Sequence, residues 1–143
     1  MVRKFIFLFL TITFISCKKE KVDGIIIGDT LFVHQSWSEN RKMKKLISQS
    51  LKKDKNAIIK LKKFPNGGAA SSYNLGYVMT QIIYRIGENS FAKILNEIPK
   101  SERKGFEGLI MVGLEYGDND YDGKMDDKRI ESEFPKLTKI LKE

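Results

Sequence analysis

Hydrophobic positions fall along this chain in three patterns. Phe5 to Ile15 is an eleven-residue apolar run broken only by Thr11 and Thr13. GIIIGDTLFV, Gly24 to Val33, is a short apolar stretch around a Gly-Asp pair and predicts a small hairpin of two short strands. From Met43 onward the apolar residues recur at steps of three and four, the period of helices with one buried face. Met43, Leu46, Ile47 and Leu51 mark one helix, started by SWSE at Ser36–Glu39 in the pattern of a capping box. Ala57, Ile58, Leu61 and Phe64 mark a second, capped by Asp54 and ended by Pro65. PNGGAASS, Pro65 to Ser72, reads as a loop.

The widest stripe follows: Leu75, Val78, Met79, Ile82, Ile83 and Ile86, stopped by Gly87. It predicts a helix at the centre of the core. Phe91, Ile94, Leu95 and Ile98 predict a shorter helix before Pro99, with Ser101 capping the next segment. Gly105 to Gly117 fits a helix whose glycines allow close packing, although Leu109–Leu114 also suits a buried strand. Asp126 to Leu141 reads as a helix with Ile130, Phe134, Leu137, Ile140 and Leu141 inward, kinked or divided at Pro135. The expected fold is mainly α: an irregular bundle of five or six helices with a small N-terminal β-hairpin.

The first pattern is an address rather than a fold element. Eleven apolar residues are too few for a bilayer-spanning helix, which needs about 20. They suit the core of a secretory signal peptide, with Arg3 and Lys4 before it and the small Ser16 at its end. The one cysteine of the chain, Cys17, comes next. This segment resembles a bacterial lipoprotein signal with FISC as its lipobox, although Phe14 stands where Leu is usual. The resemblance covers about the first seventeen residues. It implies cleavage before Cys17 by signal peptidase II and a diacylglyceryl thioether on Cys17. The other readings are a short uncleaved anchor and a buried N-terminal helix. The chain then divides into a signal peptide (1–16), a lipidated polar tether (17–23) and one globular domain (24–143). Acyl chains on Cys17 and the basic Lys18, Lys19 and Lys21 together supply the two signals that stable anchoring needs. The implied location is the bacterial cell envelope, at the outer membrane on its periplasmic or surface side.

That address changes what the charge means. The chain carries a net +8, and the part from Cys17 onward holds 24 Lys and Arg against 18 Asp and Glu, a net +6. In the cytoplasm such a balance points to nucleic acid. Outside it, nucleic acid drops out, and anionic lipid or an acidic envelope protein becomes the natural partner. Arg41 to Lys63 holds ten basic residues and one acid, and Glu115 to Glu133 holds eight acids and three bases. Lys42, Lys44, Lys45, Lys52 and Lys53 form the candidate basic binding face; the competing reading is a solvated surface.

DNDYDGKMDD, from Asp118, places Asp118, Asp120 and Asp122 at alternating positions before Gly123. It resembles the first half of an EF-hand or dockerin-type calcium loop, D-x-D-x-D-G. Alternate carboxylates in a tight loop converge on one centre, and a hard cation takes six to eight oxygens. The resemblance makes Lys124 a backbone-carbonyl ligand and Asp126 the ninth-position ligand. At the twelfth position Arg129 stands in place of the bidentate Glu, and Glu131 comes two residues late. An affinity of about 10⁻⁴ to 10⁻³ M is expected of such a site. The alternative is a solvated acidic turn whose Asp126 or Asp127 caps the last helix.

Other signals point away from catalysis. His34 is the lone histidine; Trp37 and the five tyrosines could line a binding groove, although Trp37, at a helix start, reads as core. NGGAASS lacks the ending of a phosphate loop. There is no nucleophile elbow, triad or cofactor fingerprint. The expectation is a non-enzymatic binding module, of inhibitor or immunity type by size and location. A calcium-binding lipoprotein is the alternative, and an envelope-polymer hydrolase the least favoured.

Overall fold

The computed structural model describes residues 20–143. The signal segment and Cys17 lie outside the described residues. The fold is mainly α with one two-stranded antiparallel sheet: β1 (Glu20–Val22), β2 (Ile25–Ile27), α1 (Asp29–Val33), α2 (Trp37–Leu51), α3 (Lys55–Lys62), α4 (Ala69–Ile86), α5 (Glu88–Asn96), α6 (Lys100–Arg103), α7 (Phe106–Tyr116), α8 (Ile130–Glu133) and α9 (Pro135–Lys142). Six of these helices have eight residues or more; α1, α6 and α8 are short turns of helix. No helix among the described residues is long and apolar enough to cross a membrane.

The expected central helix is α4. Val78, Met79, Ile82 and Ile83 on it are fully buried, and the helix ends at Gly87, whose φ of +84° suits only glycine without strain. Its longest contact is with α7, the helix expected over 105–117. The two backbones touch at Gly76 and Gly113. The α2–α3 pair packs on another side of the core through Met43, Ile47, Ile58 and Leu61. Both predicted caps are present. Ser36 accepts from the Glu39 N–H while Glu39 accepts from the Ser36 N–H, and Asp54 accepts from the Asn56 and Ala57 N–H groups.

The hairpin is present, but its turn lies five residues earlier than the sequence suggests. Its turn is Asp23-Gly24, both with positive φ, and not Gly28-Asp29; Val22 pairs with Ile25 and Glu20 with Ile27. Two positive φ values in a two-residue turn match the right-handed strand twist. Asp29–Val33, expected as the second strand, is α1. Its Leu31 N–H donates to Asn74 Oδ1 on α4. Residues 20–23, read from the sequence as tether, therefore form β1 and the turn.

Three further expectations are corrected. The loop over Pro65–Ser72 is shorter than expected, because α4 begins at Ala69. Ser101 lies inside α6 and caps nothing; Pro99 holds the N-cap position. Residues 126–129 are not helical: the N–H groups of Asp126, Asp127 and Lys128 donate to the carbonyls of Gly117, Glu115 and Leu114, which ties this strand of chain to the end of α7. Pro135 does divide the tail, at the first position of α9. The freed N–H groups of Lys136 and Leu137 are taken by Glu88 Oε1 of α5, a cap supplied from another helix.

Candidate functional site: the acidic loop and the basic face of α2

The acidic loop leaves the C-terminus of α7 and is pinned to α4. Tyr77 donates its hydroxyl to the Asp118 carbonyl at 2.6 Å. Burial, reinforced by the neighbouring charge of Asp118, holds this phenol protonated far above its usual range. Asn119 is the main anchor: its amide nitrogen donates to the Gly113 carbonyl at 2.9 Å and its oxygen accepts from the Thr80 hydroxyl at 2.8 Å.

Three carboxylates converge above this anchor. Asp118, Asp120 and Asp122 each bring one oxygen to within 4.8 Å of the others. The loop is shaped by its own acids. Asp118 Oδ1 accepts from the Gly123 N–H at 3.1 Å, Asp120 Oδ1 from the Asp122 N–H at 3.3 Å, and Asp122 Oδ1 from the Lys124 N–H at 2.8 Å. Gly123 has φ +86°, the sharp turn that the sixth position requires.

Asp126, the expected ninth-position ligand, is not with this group. Its carboxylate is 2% exposed and faces inward, accepting from both the backbone and the side-chain N–H of Asn119 at 2.7 Å. Lys128 Nζ stands 3.3 Å from it and 3.8 Å from Asp120. Burial raises the Asp126 pKa, but the Asn119 hydrogen bonds and Lys128 outweigh it, and the net shift is downward. Neither Asp126 nor Asp127 caps α8, whose N-cap position is Arg129 with no side-chain bond. Arg129 lies against Asp127 at 3.4 Å, and Glu131 against Lys142 at 3.4 Å. Arranged this way, the loop offers three carboxylates to a hard cation, and the remaining oxygens would come from backbone and water. Lys124 contributes its N–H to shaping the loop.

The second candidate is the basic face. Lys42, Lys45, Lys52 and Lys53 are exposed. Lys44 is half-buried, paired with Glu20 of β1, with its ammonium 5.2 Å from the Phe32 ring centroid. Trp37, expected in the core, is 76% exposed, and Val33 at the end of α1 is 75% exposed. The reason is the helical period: at about 100° per residue Met43, Leu46 and Ile47 share the inner face, and Trp37 at the helix start points away from it. Arg41, one turn on, places its guanidinium 5.5 Å from the Trp37 ring centroid. Between them and α1 lies a groove of about 190 Å³ lined by Phe32, Trp37, Asn40, Arg41 and Lys44. Asn40 closes its floor by donating to the Phe32 carbonyl at 2.8 Å. The sequence signal for this strip was the i, i+4 spacing of Trp37 and Arg41.

No protein-family model matches the chain, and no curated protein or solved structure resembles it significantly.

Proposed function

We propose that this is a small lipid-anchored protein of the bacterial cell envelope that works as a non-enzymatic binding module. In this reading Cys17 carries the acyl chains, and the basic face of α2 meets an anionic partner. The observation that supports the reading is how few residues separate Cys17 from a strand of the described body. β1 starts at Glu20, three residues after the lipobox-like cysteine, so acyl chains on Cys17 hold the body itself at the lipid surface. An inhibitor or immunity-type role suits a body of this size in that place. The test is processing of a Cys17→Ser chain. It should stay as an uncleaved, unlipidated precursor, and a processed, membrane-bound product would overturn the proposal.

The acidic loop supports a second reading, a calcium-binding lipoprotein. Its support is the convergence of Asp118, Asp120 and Asp122 on a turn made by Gly123. Thermal melting with calcium and with chelator separates the two readings.

A further inference from the structure

We infer that the Trp37 corner of α2, with Val33, Arg41, Lys44 and Lys45, seats on the anionic bilayer surface that holds the anchor. The inference rests on the anchoring proposed above and names what the basic face meets.

Chain direction is the first argument. Glu20 pairs with Lys44, and Asp23 Oδ2 accepts from the Ser48 hydroxyl at 2.5 Å. β1 therefore runs alongside α2 in the same direction. Followed backwards from Glu20, it points from Lys44 toward Arg41 and Trp37. Three residue steps separate Glu20 from Cys17, a reach of at most about 10 Å. The seven residue steps from Trp37 to Lys44 span a similar length, about 10 Å of helix. The chain length alone thus keeps an acylated Cys17 within about 10 Å of Glu20, whose carboxylate pairs with Lys44 of this strip.

Chemistry is the second argument. Around α2, Lys44, Trp37, Arg41 and Lys45 follow one another on the face opposite Met43 and Leu46. An acidic protein would be met by the cations alone. Here the cations flank an indole and a valine that are three-quarters exposed. Indole settles at the boundary between headgroups and acyl chains, and Lys and Arg reach from there to phosphate. Each basic side chain near an anionic surface contributes about 1 kcal/mol, a factor of about five in partitioning.

Trp37 is the one tryptophan of the chain, so its fluorescence reports this corner alone. The experiment uses the acylated protein, with Cys17 modification checked by mass, in phosphatidylglycerol–phosphatidylethanolamine vesicles and in phosphatidylcholine vesicles. On the anionic vesicles Trp37 emission should move to the blue and be quenched by bromine-bearing acyl chains. The Arg41→Glu, Lys45→Glu protein should lose both effects while remaining anchored. The unacylated Cys17→Ser protein, made from residue 17 onward so that it lacks the apolar Phe5–Ile15 run, should partition weakly to the same vesicles, about fivefold less for each cation neutralised. An anchored protein whose Trp37 stays as open to an aqueous quencher as in the unacylated form would overturn the docking and leave the anchor standing. Shielding of Trp37 by polyglutamate and not by vesicles would also overturn it. If the mass shows no lipid on Cys17, the anchor fails by itself, and the Cys17→Ser partitioning decides the docking: a blue shift there supports it, and none overturns it.

Discussion

Gly113 of α7 lies against the backbone of Gly76 of α4 so closely that a methyl group on Gly113 would stand 2.2 Å from the Gly76 carbonyl oxygen. A methyl on Gly76 would stand 2.6 Å from the Leu109 carbonyl. This contact sets the spacing of the two central helices, and through α7 it sets where the acidic loop begins.

Gly113→Ala should therefore destabilise the protein by about 2–3 kcal/mol, as overpacking against a backbone does. Gly108, on the same helix, faces open space. Gly108→Ala should stabilise by up to about 1 kcal/mol, the helix-propensity difference. Urea unfolding of the two variants checks both signs at once.

The β2 strand hangs on one side chain. Gln81 Oε1 accepts from the Ile26 N–H at 2.8 Å, and Gln81 Nε2 donates to the carbonyls of Ile26 at 3.0 Å and Tyr77 at 3.2 Å. Gln81→Leu strands two buried backbone groups of Ile26, at about 1–3 kcal/mol each. Amide exchange at Ile26 should accelerate, and the loss should exceed that of Gln81→Glu measured at a pH where the acid is neutral.

Asp126 makes the loop acid-sensitive. Its folded pKa lies below its ordinary value. The stabilisation it brings is thus complete above the unfolded carboxylate value, about pH 4, and is lost as pH falls through the folded value. The Asp126→Asn protein should be less stable at neutral pH and show a weaker dependence on acid. Denaturant midpoints between neutral and acid pH would show it.

For the calcium reading, millimolar calcium should raise the melting temperature and chelator should reverse it. At about tenfold excess over the dissociation constant the stabilisation is about 1.4 kcal/mol. The double change Asp118→Asn, Asp122→Asn should remove the shift. An unchanged melt in millimolar calcium would end that reading.

Much of the fold was legible because its signals are local. The Ser36–Glu39 box, the Asp54 cap, the Gly87 stop and the apolar stripe of α4 each act within a few residues, and each stands as read. The hairpin register was not legible. Asp23-Gly24 and Gly28-Asp29 are both two-residue turn signals, and the choice is made by Gln81 and Asn74, which lie 55 and 43 residues away from the groups they bind. The cap on α9 comes from Glu88, 48 residues upstream. In the acidic loop, the clustering of Asp118, Asp120 and Asp122 followed from their spacing. The inward turn of Asp126 did not, because it depends on Asn119, whose own orientation is set by Gly113 and Thr80. Trp37 reads as core from its residue type at a helix start, whereas the helical period that turns Met43, Leu46 and Ile47 inward turns its side chain outward.

Anchoring through Cys17 is tested most directly by intact mass analysis of the protein taken from its native membranes. It should find a chain beginning at Cys17 with a diacylglyceryl group on sulfur. A chain retaining Met1, with a bare thiol at Cys17 and recovered without membranes, would contradict it.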